Sequence, residues 1–436
     1  MASSHIMSLD FKALRLRGGG LQRAWKSSSA SFRGPSKAPA ATVRGGKSAG
    51  LGAVPEDSAA ASETQHASSS WANVVARNPS PAPTVTDKSG NAGVAQTAEQ
   101  NYTNGEGDAY YFNSYSHFGI HEEMLKDEVR TLAYRDALLK NAHILKGKVV
   151  LDLGCGTGIL SMFAAQAGAA HVYAVDCSAM ADTAFRIVQA NGFSDRITVI
   201  RGEIEQVTLP VDKVDVIVSE WMGYSLLYET MFDSVIFARD KWLKPGGMLM
   251  PDKAAIYLCG IEDAKYKNEK IFFWDQVYGF NMSCIRPAAL SEPLVDTVDP
   301  GQIATTTACV WEADLLTIDK AGMQVDSAFN LTALRNDYIH ALVLHFDVGF
   351  TQGHKPIWMT TSPREKWTHW RQTVLYLHDD LAAARGQTMQ GRLAITPGRE
   401  NKRHLDYRLD YEFHGDAVNG ERLLAPHRAT HLYRMR

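Results

Sequence analysis

The run VVLDLGCGTGILSMFAAQA, residues 149–167, constrains the fold more than any other part of the chain. Val149 to Leu153 is an apolar stretch broken only by Asp152, the length and make-up of a buried strand. Gly154, Gly156 and Gly158 follow within five residues and permit a sharp turn with close ligand approach. The next nine residues read as a helix, so the turn meets a helix N-terminus with unpaired N–H groups. HVYAVD (171–176), ITVIRGE (197–203) and VDVIVSEW (214–221) read as further strands, and MADTAFRIVQANG (180–192) as a helix. Alternation of this kind builds a doubly wound parallel sheet between about 110 and 250.

Past Pro251 the alternation stops. AIYLCGI, ALVLHFDVGF, TVLYL, GRLAIT and YRLDYEF are strand-like runs separated by loops, which predicts antiparallel β structure closing into a barrel. The expected organisation is an extension over 1–105, an α/β domain over 106–251 and a β domain over 252–436. Residues 264–300 are rich in aromatics. Ahead of the first strand, residues after His121 predict a helix carrying Met124, Val129, Leu132 and Leu138 on its apolar face.

Three glycines in five residues is a tighter turn than the GxGxxG of dinucleotide sites, and Asp152 would repel a pyrophosphate. A neutral or cationic adenosyl ligand suits the position better. Asp176 ends the second strand, 22 residues after Gly154, where a carboxylate accepts both ribose hydroxyls. Nicotinamide enzymes use the same device, so Asp176 does not discriminate between cofactors. Glu205, in GEIEQ, can accept from an adenine amino group, although a solvated glutamate is an equal reading.

SEWMGYSLLYETM, residues 219–231, is more specific. Glu220 and Glu229 stand nine residues apart with Trp221, Tyr224, Tyr228 and Met231 around them. Two carboxylates on one loop repel unless a cation lies between them. Arginine's planar, permanently charged guanidinium fits such a clamp. The bland alternative is two surface glutamates at a helix start. His369, in THW, can orient or exchange protons with a carboxylate, or simply pack beside Trp370.

Charge and cysteine content exclude several classes. Residues 1–105 carry 11 Lys+Arg against 6 Asp+Glu, and the rest 34 against 42, so a basic tail precedes an acidic body. An acidic body favours cationic substrates over polyphosphate, and direct nucleic-acid binding by the folded part is not expected. Five cysteines, none in CxxC spacing, indicate neither a disulfide framework nor a metal site, and no apolar run is long enough to span a membrane. The tail, rich in Ala, Ser, Gly and Pro, reads as disordered. Its LRLRGGG, FRG and VRGG set exposed guanidinium groups beside glycines, in the bland reading only a solvated tail, otherwise groups that bind RNA or anionic surfaces or are themselves modified. Three other functions stay open. A base methyltransferase would carry a Pro-Pro-aromatic motif where SEWMGY stands. A dehydrogenase would bind nicotinamide, and a catalytically dead scaffold would bind donor without transferring.

VLDLGCGTG, SEWMGY…YE and THW together resemble the protein arginine methyltransferase family, closest to its predominant type I member, nearly collinearly from Tyr110 to the closing YRMR. The resemblance implies a Rossmann-like S-adenosylmethionine domain followed by a β-barrel, with residues 264–300 as an arm for homodimers or higher oligomers. Phe112 and Tyr115 would belong to a helix folding over the donor, and His121 and Arg130 would contact it, Arg130 through the methionyl carboxylate. Gly154 would line the site, Asp176 hold the ribose and Glu205 meet the adenine. Glu220 and Glu229 would grip the substrate arginine, and His369 would pair with Asp127. Met124, Met231 and Tyr224 fall where substrate and product type are set, which implies mono- and asymmetric dimethylarginine. Arg-Gly-rich proteins, histone tails and RNA-binding proteins are the implied substrates, and cytoplasm and nucleus the implied location. Many relatives carry Glu where this chain has Asp176, one methylene shorter, which implies a modest loss of donor affinity.

Overall fold

The computed structural model describes residues 114–436. The extension 1–105 and Phe112 lie outside the described residues.

Two helices, α1 (Phe118–Lys126) and α2 (Glu128–Leu139), replace the single helix expected after His121. Asp127 causes the break: its backbone is extended (φ −69°, ψ 93°) and its side chain accepts the Arg130 N–H as the N-cap of α2. Tyr134 and Leu138 of α2 are fully buried, whereas Leu132, expected on the apolar face, is 38% exposed. Leu132 lies about 120° around α2 from Leu138, at about 100° per residue, which turns it off the buried face.

After α3 (Ala142–Leu145) come β1 (Val149–Leu153), α4 (Ile159–Gln166), β2 (His171–Asp176), α5 (Met180–Ala190) and β3 (Ile197–Arg201). Then follow β4 (Val214–Ser219), α6 (Phe232–Trp242) and β5 (Leu243–Met250). The five strands form a parallel sheet in the order β3-β2-β1-β4-β5. β1 is central, and Val150–Leu153 are all buried, Asp152 included, as a central strand covered on both faces requires. The chain leaves β1 for β2 on one side and later returns to β4 on the other. That reversal opens a crevice at the C-terminal ends of β1 and β4.

The second half contains β6 (Lys253–Ile261), α7 (Ala264–Lys270), α8 (Arg286–Ser291), β7 (Leu294–Asp296), β8 (Ala308–Asp314), β9 (Val325–Thr332) and β10 (Asp337–Phe350). Next are β11 (Ile357–Thr360), β12 (Gln372–Ala383), β13 (Thr388–Pro397), β14 (Leu405–His414), β15 (Ala417–Val418), β16 (Glu421–Arg422) and β17 (His427–Met435). They make two antiparallel sheets, one through β16-β15-β12-β10-β6-β8 and one through β17-β14-β13-β9, and these form the barrel. Between β6 and β7 the arm leaves the barrel. Its root is Lys267 of α7, 1% exposed, whose Nζ donates to the carbonyls of His378 and Asp379 and to Asp380 Oδ1 at 2.6 Å. Further along the arm, Tyr278 and Phe280 are 98% and 69% exposed.

Parallel sheet and barrel are joined by only two residues, Pro251 and Asp252. Asp252 is buried; its N–H donates to Gly349 O, its Oδ2 accepts from the Thr351 hydroxyl, and its carbonyl accepts from Leu315 N–H.

Candidate active site

Three strand ends converge on the crevice: β1 delivers Gly154, β2 delivers Asp176 and β4 delivers Glu220. Gly154 has φ +71°, and a Cβ there would collide with the Met231 Cε, so the methionine packs directly on the turn. Asp176 Oδ2 accepts the Gly156 N–H at 2.8 Å, and Oδ1 accepts the N–H and hydroxyl of Ser178 at 2.8 and 2.6 Å. The short side chain therefore braces the glycine turn, with one lone pair left on Oδ2 for a ligand hydroxyl. Asp152 is fully buried; Ser161 of α4 donates to its Oδ2 at 2.6 Å, and Oδ1 has no hydrogen-bond partner. Burial raises its carboxyl to about 7, so at neutral pH it is only partly charged and is a weaker repellent of anions than its sequence position indicates. Glu205 is exposed and accepts from the Ser234 hydroxyl at 2.7 Å. Cys177 is half-buried, and burial with the charges of Glu203 and Asp176 lifts its thiol to about 11, which keeps it protonated.

The segment after β4 is a compact hook. Gly223 and Leu226 exchange both backbone hydrogen bonds at 3.0 Å. A Cβ on Gly223 would collide with the Tyr228 carbonyl. Ser225, Leu226, Glu229 and Thr230 all have positive φ, between 53° and 74°. Left-handed backbone at four non-glycine residues is strained and persists only where the surroundings enforce it. Several long-range bonds do so. The Tyr134 hydroxyl donates to Ser219 O at 2.9 Å, and Trp370 Nε1 donates to Met222 O at 2.8 Å.

Within the hook the two acids have different partners. Glu220 Oε2 accepts from Arg130 Nε at 2.9 Å and Nη2 at 2.8 Å, with both side chains 7% exposed. Its Oε1 is buried without a hydrogen-bond partner. Glu229 Oε2 accepts from the Tyr115 hydroxyl at 2.8 Å. The carbonyl of Tyr115 in turn meets His121 Nε2 at 2.8 Å, and the His121 ring lies against Gly156 of the glycine turn. Burial holds His121 below its ordinary pKa, so the ring is neutral at pH 7. Met124 stands beside Arg130, its carbonyl 3.3 Å from Nη1 and its sulfur 3.8 Å from Nη2. Tyr224 is raised above its ordinary pKa by burial and by the charges of Glu123 and Glu229, and remains a donor.

Asp127 connects this site to the barrel. Its Oδ1 caps α2 through Arg130 N–H at 3.0 Å, and its Oδ2 accepts both the N–H and the Nδ1 of His369 at 2.8 Å. Burial alone would raise the carboxyl, but these bonds hold it below the usual carboxylate value. Sequence reading missed the supporting residues Tyr134, Arg403 and the Trp370 indole. Each acts across 85 or more positions, and no local pattern announces that.

A five-stranded parallel sheet with a glycine turn at its switch point, an acidic hook beside it and a barrel behind defines a methyltransferase. Residues 150–247 match the methyltransferase domain model, and residues 252–416 match the arginine methyltransferase oligomerization subdomain. Protein arginine N-methyltransferase 1 of Chlamydomonas reinhardtii is 59% identical over 307 residues, covering 70% of this chain and 89% of that protein. The Dictyostelium discoideum protein of the same name is 53% identical over 318 residues, covering 73% and 93%. Among solved structures, the Trypanosoma brucei PRMT1 enzyme–prozyme heterotetramer with AdoHcy has a TM-score of 0.71 and 46% identity, covering 74% of this chain and 100% of that one. The chain belongs to the protein arginine N-methyltransferase family.

Proposed function

We propose that the chain transfers methyl groups from S-adenosylmethionine to guanidino nitrogens of protein arginines, giving mono- and asymmetric dimethylarginine. The observation that carries this reading is the buried, unpartnered Oε1 of Glu220, on a carboxylate whose other oxygen Arg130 already holds. An unpaired buried acceptor costs on the order of 1–3 kcal/mol, more when charged, and an arriving N–H donor removes that cost. The oxygen is thus preorganised for a cationic donor such as guanidinium.

The crevice fits an adenosyl donor. The glycine turn allows close approach, Asp176 keeps one lone pair on Oδ2 for ribose, Arg130 supplies a cation for a carboxylate, and Asp152 adds little fixed charge. S-adenosylmethionine supplies an electrophilic methyl group when bound there. A guanidinium is a poor nucleophile, because its lone pairs are delocalised and its pKa lies above about 12. Glu220 and Glu229 localise positive charge on the nitrogens facing them, which leaves the remaining terminal nitrogen richer in electrons. Positioning supplies most of the acceleration. The proton leaves late, to Glu229 or to the His369–Asp127 pair. Met231 on the glycine turn and Met124 beside Arg130 bound the space around the acceptor and support the asymmetric product.

The arm with exposed Tyr278 and Phe280 is read as the surface through which copies associate. Arg-Gly-rich proteins are the substrate class, in cytoplasm and nucleus. Arg17, Arg33 and Arg44, each followed by glycine, make the chain a candidate acceptor for itself. The test is a methylation assay on an Arg-Gly-rich peptide, with mass spectrometry of peptide and enzyme. Mono- and asymmetric dimethylarginine are expected; symmetric product alone, or none, would refute the reading.

A further inference from the structure

The direction of the Glu229 carboxylate depends on backbone that the barrel holds. Glu229 and Thr230 lie at φ +74° and +53°. That region disfavours L-residues by roughly 1–2 kcal/mol each. The Glu229 N–H donates to the Arg403 carbonyl at 2.8 Å, and Arg403 Nη1 donates to the Glu229 carbonyl, also at 2.8 Å. Both backbone polar groups of the strained residue therefore go to one residue 174 positions later in the chain.

Arg403 sits in the turn between β13 and β14, and that turn is itself closed. Asn401 Oδ1 accepts the Arg403 N–H at 2.9 Å, His404 N–H donates to Asn401 O at 3.1 Å, and Gly398 N–H donates to His404 O at 2.8 Å. Next to this clip the His404 and Tyr228 rings run parallel, 1° apart in tilt, with centroids separated by 6.2 Å. A pre-closed turn gripping a strained peptide from both sides is an arrangement that fixes orientation.

We propose that Arg403 is a positioning residue for methyl transfer: its guanidinium fixes the peptide plane after Glu229 and thereby aims the Glu229 carboxylate at the acceptor nitrogen. Arg403 acts through Glu229 and does not touch the reacting atoms, so the proposal rests on the carboxylate-clamp reading above. The N–H···O=C bond between Glu229 and Arg403 is main-chain to main-chain and survives any side-chain change. Removing the guanidinium therefore loosens the clip without deleting it. A lysine can supply one donor to the same carbonyl, but without the planar fork.

The full chain is prepared with R403A, R403K, E229Q and the R403A/E229Q pair. Folded fraction is read by circular dichroism, S-adenosylhomocysteine affinity by calorimetry, and kcat and KM on an Arg-Gly-rich peptide. Displacing a reacting group by about 1 Å costs on the order of a hundredfold. R403A is expected to lose ten- to a hundredfold in kcat per folded molecule, with homocysteine-product affinity within about threefold of the parent. R403K is expected to recover most of that loss. Combined with E229Q, R403A adds little, because both changes remove one function. A kcat for R403A within twofold of the parent per folded molecule overturns the proposal, as does a loss that multiplies fully with that of E229Q. Near-normal turnover in E229Q alone refutes the clamp itself, a failure distinct from that of Arg403.

Discussion

Arg130 grips a single oxygen of Glu220 with two of its nitrogens, at 2.9 and 2.8 Å, in a setting where each side chain is 7% exposed. Removing one member of such a pair leaves the other buried and uncompensated, at a cost of about 3–5 kcal/mol. R130M should therefore lower the free energy of unfolding by that amount in urea titrations of the full chain. R130M/E220Q should recover a substantial part, since the double variant carries no unpaired charge. A midpoint for R130M equal to that of the parent, or a double variant no better than the single, counts against the pair as a structural unit.

Glu229 is expected to separate binding from chemistry. E229Q keeps the size and the hydrogen-bonding reach toward Tyr115 but loses the charge. Turnover on an Arg-Gly-rich peptide should fall by about a hundredfold or more, the scale of losing one electrostatic partner in a catalytic site. S-adenosylhomocysteine affinity should change by less than about threefold. Parallel loss of binding and turnover would point to a collapsed site rather than to a missing charge.

D127N tests whether the Asp127–His369 pair is more than a brace. Asparagine is a good N-cap, so the bond to the Arg130 N–H can persist while the charge opposite His369 is lost. The stability cost should be about 1–2 kcal/mol, but kcat per folded molecule should fall by about tenfold or more, because the carboxylate that orients His369 is gone. D127A removes the cap as well and should cost about 1 kcal/mol more. An unchanged kcat in folded D127N confines the pair to structure.

Buried histidines work against stability in acid. Burial depresses His121, His340, His404 and His431 below 6.5, with His431 at about 4, where the neighbouring His378 also contributes. At these four sites the unfolded chain binds more protons below pH 6.5, so their contribution to stability falls as pH drops through the window from about 4 to 6.5, while Asp152, raised to about 7, works in the opposite sense over the same range. For His431 alone the shift corresponds to a loss of order 3 kcal/mol. Asp127 and Asp379, depressed below the ordinary 3.8, add their losses only at still lower pH. H431Q should raise the unfolding midpoint at pH 4 relative to that at pH 6.5; an unaltered difference would show that His431 is not the group responsible.

The arm offers a separable change. Tyr278 is almost fully and Phe280 largely exposed, so Y278S/F280S should leave the melting temperature of the isolated chain within a few degrees. Light scattering should nevertheless show a shift to smaller species, since aromatic anchors carry much of an interface's energy. Unchanged mass would place the association surface elsewhere.

The parallel sheet was readable because buried strands are contiguous apolar runs, and Val149–Leu153 is such a run. The candidate acids were readable because Glu220 and Glu229 sit among aromatics on a loop that follows a strand. Asp127 as a helix break was not, since its second oxygen is occupied by His369, 242 positions away. Nor was the partial neutrality of Asp152, which depends on complete burial beside Ser161. Asp176 was read as a ribose ligand, and sequence gave no sign that its shorter side chain would reach back to the Gly156 N–H. Each of these depends on distant chain arriving at a particular point, which spacing along a sequence does not encode.

The junction at Asp252 has a mechanical consequence. Two neighbouring segments, around Gly349–Thr351 and at Leu315, are tied to that one residue, while Arg239 of α6 donates to the Leu315 and Ile318 carbonyls and Asn141 bonds Lys355 across the same boundary. This stitching sets the register in which the barrel presents His369 to Asp127 and Arg403 to Glu229, so the junction takes part in assembling a site it does not touch.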